Sequence, residues 1–168
     1  MSRLFTRKSA PWIALVLSGG LLIGAWIFQF GFGYAPCTMC YWQRHVHKLV
    51  VGLALLTLGL RAFGFKTLDG FFLWLISTAL LGSAALAFYH MGVEYKWWEG
   101  PKTCSGGGAV LKMPEIDSND PLSMFDKKIN GPSCTEAVWH FIGLSMAAWN
   151  AILSLSGAMA VIISRKKG

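Results

Sequence analysis

Four long blocks of apolar residues, separated by polar stretches, dominate the pattern of this chain. They cover about residues 11–32, 43–63, 69–91 and 139–164. About 20 apolar residues in a helix, at about 1.5 Å per residue, cross a hydrocarbon core of about 30 Å. A secretory signal peptide is the alternative for the first block, but its apolar part is only about 7–15 residues long. The pattern therefore predicts an all-α membrane protein, a bundle of four transmembrane helices.

Small residues recur within the third and fourth blocks, and such residues let helices approach closely in lipid. They are Gly82, Ser83, Ala84 and Ala85 in the third block and Gly143, Ala147, Ala148 and Gly157 in the fourth. We expect a compact bundle that forms a single domain, residues 1–168, and a monomer.

The basic residues predict the orientation of the bundle. Eight Lys and Arg lie at the N-terminus, between the second and third blocks, and at the C-terminus, namely Arg3, Arg7, Lys8, Arg61, Lys66, Arg165, Lys166 and Lys167. Lys and Arg accumulate in the cytoplasmic segments of membrane proteins, so we expect both termini in the cytoplasm. The connections at about 33–42 and 92–138 then lie outside, and the second is long and irregular.

The long outer connection contains a glycine run, Gly106–Gly108, and several prolines that interrupt regular structure. Within it, the segment Pro121–Ile129 is either a short amphipathic element at the membrane surface or an ordinary loop turn.

Composition supports the membrane prediction and argues against nucleic acid as a partner. The chain is 54% hydrophobic and only 14% charged, with a mean hydropathy of +0.49, which is too apolar for a soluble domain of this size. The net charge is +7. Nucleic-acid-binding proteins gather their basic residues on one face, whereas here these residues flank the apolar blocks.

All four cysteines fall in the two outer connections, Cys37 and Cys40 in the short one and Cys104 and Cys134 in the long one. Disulfides form and persist outside the cytosol, so we expect two of them. The C-x-x-C spacing of Cys37 and Cys40 is typical of thiol–disulfide oxidoreductases, and a bridge across so short a loop adds little stability. Cys104 and Cys134 form either a structural bridge or a second redox pair. Structural zinc sites usually bring two close cysteine pairs, so we expect no metal.

Polar residues follow the C-x-x-C motif at helical spacing. Cys40, Arg44, His47 and Lys48 share one face if the second helix begins near Cys40. Arg44 can lower the pKa of Cys40 and bind a carbonyl ligand, or it can extend to the lipid headgroups. His90 ends the third apolar block and reaches the same membrane surface, as a ligand contact or as an ordinary interfacial residue.

Aromatic residues are predicted at that same surface. Tyr41, Trp42, Trp97, Trp98 and Trp139 either anchor the protein in the interface or offer a stacking surface to a ring. Asn150, a polar residue inside the fourth block, is expected to connect helices.

Dithiol exchange moves electrons between sulfur atoms but does not remove them from the system, so a terminal acceptor is needed. The sequence has neither a C-x-x-C-H haem motif nor a G-x-G-x-x-G dinucleotide fingerprint. A membrane quinone is the acceptor that fits.

The chain resembles the DsbB family of disulfide-bond-forming membrane proteins over essentially its whole length. The resemblance rests on the four spans, on cysteines confined to two outer connections, and on several motifs. These are Pro36-Cys37-Thr38-Met39-Cys40 followed by Arg44, Tyr89-His90-Met91-Gly92-Val93-Glu94, Pro132-Ser133-Cys134 leading into Trp139, and Gly143-Leu144-Ser145-Met146-Ala147-Ala148-Trp149-Asn150.

The resemblance implies roles for individual residues in a bacterial inner membrane. Cys104 and Cys134 would exchange with a periplasmic, DsbA-like protein of the thioredoxin fold, which attacks Cys104 first. Cys37 and Cys40 would reoxidise that pair, with Cys40 beside the quinone, which is ubiquinone or menaquinone. Arg44 matches a quinone-side arginine, and His90 lies where the family has a residue near the quinone.

Two other classes of function remain open on the residues alone. The protein would be a scaffold with structural disulfides in the first case and a metal-handling membrane protein in the second. The length of the long connection and its Gly106–Gly108 run leave the choice of partner open.

Overall fold

The structure, a computed structural model, describes residues 6–65, 67–101, 104 and 133–166. Four helices in this part are long and apolar enough to cross a membrane, which confirms the predicted all-α bundle. They are α1 (Ala10–Trp26, continued by a π-helical turn, Ile27–Gly31), α2 (Thr38–Ala62), α3 (Asp69–Glu94) and α4 (Met146–Lys166). The glycine run and the segment 121–129 lie outside the described residues.

Helix α1 shows why the first apolar block forms a membrane helix. Pro11 occupies its first turn, where a missing N–H costs nothing and the fixed φ favours the helix. Large apolar side chains such as Trp12, Val16 and Ile23 remain exposed along it, as expected for a surface that faces lipid. The helix widens at its end, where the Phe32 N–H donates to the Ile27 carbonyl at 3.3 Å.

Helix α2 begins at Thr38, five residues before the predicted start at about 43. Cys37 is the N-cap in an extended conformation, and its sulfur accepts a hydrogen bond from the Cys40 N–H. A side chain that satisfies a free N–H in this way starts a helix. The C-x-x-C motif thus lies in the first helical turn and not in a loop. Helix α3 likewise runs to Glu94 and not to about 91.

The fourth helix begins at Met146, so the predicted start at about 139 was wrong. Residues 140–145 form a hairpin of β1 (His140–Phe141) and β2 (Leu144–Ser145). Its turn residues, Ile142 and Gly143, have φ of 52° and 75°, the signature of a two-residue hairpin turn and incompatible with a helix. Ser145 then caps α4, because its Oγ accepts the Ala148 N–H at 3.2 Å.

The four helices pack in a ring, α1 against α2 and α4, and α3 against α2 and α4. Their shared core holds small and medium side chains, Ala10, Ala14, Val50, Ala54, Leu73, Ile76, Leu80, Ala158 and Val161. Among the small residues predicted to make helix contacts, five are buried, namely Ser83, Ala84, Ala147, Ala148 and Gly157. Gly82, Ala85 and Gly143 are exposed instead, so that prediction holds only in part.

A network of charged groups closes the end of the bundle opposite the cysteines. Arg61 Nε donates to both carboxylate oxygens of Asp69, at 2.8 and 2.9 Å. The same guanidinium donates to the backbone carbonyls of Arg7 and Lys8, at 2.8 and 2.9 Å. Because Asp69 is 9% exposed, these bonds are partly shielded from water. They tie the end of α2 to the start of α3 and to the segment before α1.

We predict that Asp69→Asn destabilises this end of the bundle. The change removes the charge that Arg61 pairs with, and a hydrogen bond to a charged group contributes about 1.5–3 kcal/mol. Thermal unfolding in detergent should show a lower midpoint for this variant. Glu99→Gln, which alters an exposed carboxylate, serves as the control, and an equal midpoint for both variants would contradict the role given to Asp69.

Candidate redox site

The two thiols of the C-x-x-C motif face each other at the start of α2. Their sulfur atoms are 2.7 Å apart, and the Cys40 N–H donates to Cys37 Sγ at 3.2 Å. Free backbone N–H groups and the helix dipole favour negative charge at such a helix start. Cys37 is buried, with 5% of its surface exposed, and Cys40 is half-buried.

The environment of Cys37 favours its protonated form. A hydrogen bond with the Cys40 side chain and then burial raise the pKa of the Cys37 thiol well above its ordinary value. This environment therefore favours the thiol form of Cys37 over its thiolate. The expected effect of Arg44 on the pKa of Cys40 stays a prediction.

The second pair, Cys104 and Cys134, is bonded as a disulfide, with the two Cα atoms 5.3 Å apart. Of the two disulfides expected from the sequence, the structure contains this one. Cys37 and Cys40 are free thiols, because their sulfur atoms lie at hydrogen-bonding distance and not at the bonding distance of about 2.05 Å.

The two pairs meet around His90. Cys37 Sγ lies 3.6 Å from His90 Nε2, and the ligand atoms of Cys37, His90 and Cys134 are all within 4.8 Å of one another. Val93 packs with the cysteines in one buried cluster, and Gly100 lies beside Val93 and Cys104. The chemistry of these donors also suits a soft metal, but Cys134 is already engaged in its disulfide.

A chain of buried hydrogen bonds runs from His90 into the bundle. Gln43 Nε2 is 2.8 Å from His90 Nδ1, and Asn150 Nδ2 donates to Gln43 Oε1 at 2.7 Å. His47 Nε2 lies 2.9 Å from Asn150 Oδ1, and His47 Nδ1 lies 3.2 Å from Ser18 Oγ. Asn150 thus connects helices, as predicted, and the chain links all four of them.

A cavity of about 240 Å³ opens beside the C-x-x-C motif. Apolar and aromatic side chains from α1, α4 and the segments 34–36 and 138–139 form most of its lining. Its polar groups from α2 and α4 are Cys40, Gln43, Arg44, His47 and Asn150. Three residues of the predicted helical face therefore reach one cavity, whereas Lys48 is exposed and does not line it.

The Arg44 guanidinium is held from α1. Its Nη1 donates to Gln29 Oε1, and its Nη2 donates to the Ala25 carbonyl at 3.1 Å. Both acceptors lie at or beside the π-helical turn, a feature frequent at functional sites. Arg44 has five N–H donors in all, so others remain for a ligand.

The predicted aromatic residues divide between two places. Trp139 contacts the Phe28 ring, with centroids 5.0 Å apart, and lines the cavity with it. Trp97 and Trp98 instead pack at the end of α3, where Trp98 Nε1 donates to the Tyr89 carbonyl at 2.8 Å. Trp139 is therefore the tryptophan of this group that lines the cavity.

A second, smaller cavity of about 50 Å³ lies on the other side of the thiols. It is shared by Cys37, Cys40, His90 and Glu94, and it reaches the exposed residue Glu136. Glu94 was not among the candidate residues from the sequence. Its spacing of four residues from His90 on a helix is the signal that could have indicated it.

Comparison with known proteins agrees with this geometry. A sequence profile described as "Disulfide bond formation protein DsbB" matches residues 7–164. The chain belongs to the DsbB family. Disulfide bond formation protein B of Pasteurella multocida is 31% identical over 157 residues, covering 89% of this chain and 80% of that protein.

Two further relatives span similar lengths. Disulfide bond formation protein B of Methylococcus capsulatus is 29% identical and covers 89% of each chain. An uncharacterized Rickettsia prowazekii protein is 25% identical over 85% of this chain and 78% of its own. No solved structure matches. As a member of the DsbB family, the protein is a redox-active membrane oxidoreductase of disulfide bond formation.

We predict that Gly92→Ala disturbs the cysteine-bearing end of α3. A Cβ at Gly92 would lie 2.0 Å from the Trp98 ring, and overpacking of this kind costs about 1–3 kcal/mol. Gly82→Ala on the same helix meets nothing within 4 Å and should gain up to about 1 kcal/mol of helix propensity. The midpoint of thermal unfolding in detergent should fall for Gly92→Ala and rise for Gly82→Ala. A shift in the same direction for both variants would contradict the close contact between Gly92 and Trp98.

Proposed function

We propose that this protein is an inner-membrane thiol:quinone oxidoreductase that reoxidises a periplasmic thioredoxin-fold protein, DsbA-like in kind. One observation carries the proposal. The disulfide of Cys104 and Cys134 lies against Cys37 around His90, and Cys40 lines a cavity with Arg44 on the other side. Sulfur atoms of both pairs are thus arranged in series between the outer segment and a ligand site.

The contact between Cys134 and Cys37 supports the following order of exchange. A thiolate of the reduced partner attacks Cys104, forming a mixed disulfide and releasing Cys134 as a thiolate. Cys134 then attacks Cys37 of the oxidised C-x-x-C pair, and Cys40 leaves as a thiolate at the helix start, where negative charge is favoured. A second thiolate of the partner resolves the mixed disulfide and releases Cys104 as a thiolate. Cys104 then attacks Cys134, which restores the Cys104–Cys134 disulfide and releases Cys37. The partner ends oxidised, and two electrons rest in this chain.

The 240 Å³ cavity fits a quinone head group. Benzene is held by an apolar cavity of about 150 Å³, so a substituted ring with two carbonyls is a reasonable match in size. Cys40 lies at one side of this cavity, Arg44 supplies charged N–H donors, and Trp139 supplies an aromatic face. When bound, ubiquinone or menaquinone accepts two electrons and two protons.

The proposal includes a membrane orientation. The basic residues Arg7, Lys8 and Arg61 meet at the end opposite the cysteines, which supports a cytoplasmic location for that end and for both termini. The segments 32–37 and 95–145 would then be periplasmic. A single domain and a monomer complete the proposal.

The thiol relay is tested with cysteine variants. Cys37→Ser and Cys40→Ser should each leave the periplasmic partner reduced in cells, because electrons then have no path from Cys134 to the cavity. The redox state of the partner is read by alkylation of its free thiols, with the wild-type protein expressed at the same level as the control. A partner that stays oxidised in either variant would show that the disulfides are merely structural.

The quinone site is tested with Arg44→Ala. Losing one charge-assisted hydrogen bond of about 1.5–3 kcal/mol should raise the apparent KM for ubiquinone roughly 10- to 100-fold. The matched control is Lys48→Ala, which removes a cation one turn later that does not line the cavity. Purified protein, reduced partner and added ubiquinone give the measurement, and an equal KM for both variants would contradict the assignment of Arg44.

A further inference from the structure

Oxidation of a dithiol releases protons as well as electrons, and the structure indicates which group receives the proton of Cys37. This inference rests on one part of the proposed function, namely that the C-x-x-C pair alternates between dithiol and disulfide. Cys37 is buried, which disfavours its thiolate and raises the pKa of its thiol. Its S–H bond must therefore break before its sulfur can bond to Cys40. A base within direct reach, or within reach through one water, is needed for that step.

His90 is the nearest basic group, but its hydrogen bonds oppose this role. Asn150 Nδ2 donates to Gln43 Oε1, which leaves the NH₂ group of Gln43 to donate to His90 Nδ1. A neutral imidazole that accepts at Nδ1 carries its hydrogen on Nε2. Nε2 is the atom that faces Cys37 Sγ at 3.6 Å. His90 therefore donates toward the sulfur and has no free lone pair there for the proton of Cys37.

Glu94 is the carboxyl group placed to serve instead. Its Oε1 lies 3.8 Å from His90 Nε2, and its side chain is only 8% exposed. Its Oε2 is buried and has no hydrogen-bond partner within the part of the chain that the structure describes, while the Ser145 side chain hydrogen-bonds to the carboxyl group. A buried carboxylate oxygen without a partner is costly, so its persistence beside a redox pair suggests a task.

The small cavity supplies the connection between Glu94 and the thiols. Its volume of about 50 Å³ exceeds the roughly 10–15 Å³ that one water needs. The titratable groups that face Glu94 there are Cys37 and Cys40 from α2, His90 from its own helix, and Glu136 from the segment before β1. Because Glu136 is exposed, the cavity also has a route to outside water.

We propose that Glu94 is the proton acceptor of the C-x-x-C pair. As the disulfide forms, the Cys37 S–H bond breaks and its proton passes to the Glu94 carboxylate, directly or through one water. The Cys37 sulfur bonds to the Cys40 sulfur, and the two electrons pass to the acceptor. Glu94 then releases this proton past Glu136 to water. Because Cys40 is a thiolate, the two protons that the acceptor takes up both come from water, and the step as a whole consumes one proton.

The test uses the reduced full-length protein without quinone or partner. A small aromatic disulfide, 2,2′-dithiodipyridine, oxidises the thiols, and the reaction is stopped by acid at set times. Trypsin then yields the peptide Ser9–Arg44, which holds Cys37 and Cys40 and neither of the other two cysteines. Mass spectrometry of this peptide gives the rate of C-x-x-C oxidation across a pH series.

We expect Glu94→Gln to slow this oxidation about 10²-fold at neutral pH, the lower range for loss of a general base. The wild-type rate should fall as pH drops through the pKa of Glu94, since only the carboxylate accepts a proton, and should reach a plateau above it. The oxidation rate of the variant should show no plateau. It should instead increase steadily with pH, because hydroxide then has to deprotonate the thiol. Glu94→Asp should keep the plateau at a lower rate.

Glu99→Gln, an exposed carboxylate near the same end of the bundle, is the matched control and should behave as wild type. The proposal is overturned if Glu94→Gln keeps the wild-type pH profile, whether its rate is unchanged or uniformly lower, because a uniform loss indicates a structural role. If Glu94→Gln does not fold, Glu94→Asp is measured in its place. The proposal is then overturned if Glu94→Asp has the wild-type rate and the wild-type pH profile. Quinone reduction by the wild-type protein is measured separately. Failure of the proposed function can therefore be distinguished from failure of the role proposed for Glu94.

Discussion

Lipid offers no hydrogen bonds, so a polar side chain inside this bundle is stabilised only by partners within the protein. His90, Gln43, Asn150 and His47 meet that requirement together, in one chain of contacts that spans α2, α3 and α4 and reaches Ser18 of α1. Because each contact holds only at one rotation of its helix, the chain fixes how the helices face one another. The direction in which the reactive groups point follows from it.

The rotation of α2 that these contacts fix directs two faces of its first turns toward different groups. One face directs the C-x-x-C motif toward His90 and the Cys104–Cys134 disulfide, and the other directs Arg44 into the larger cavity. Cys40 lines both cavities and is therefore the residue that connects the cysteine cluster to the larger cavity. A helix start that carries its own cap, Cys37, makes this arrangement rigid without a separate scaffold.

Much of this arrangement could be predicted from the sequence, for physical reasons. Long apolar blocks specify membrane helices almost regardless of context, and helical periodicity alone placed Cys40, Arg44 and His47 on one face. Periodicity did not show where α4 begins, because Phe141, Ile142 and Leu144 are apolar in a hairpin as they are in a helix. Glu94 was overlooked because its spacing of four residues from His90 is its only local signal. Its other neighbours come from α2, from the segment before β1 and from Ser145 of β2, and contacts between distant segments leave no local pattern.

The tether between Arg44 and the end of α1 has an evolutionary consequence. The guanidinium is positioned by Gln29 and the Ala25 carbonyl, and α1 also contributes Phe28 to the cavity wall. None of these groups touches sulfur. If the cavity holds the electron acceptor as proposed, substitutions in α1 would change which acceptor is preferred and leave the cysteines themselves unaltered.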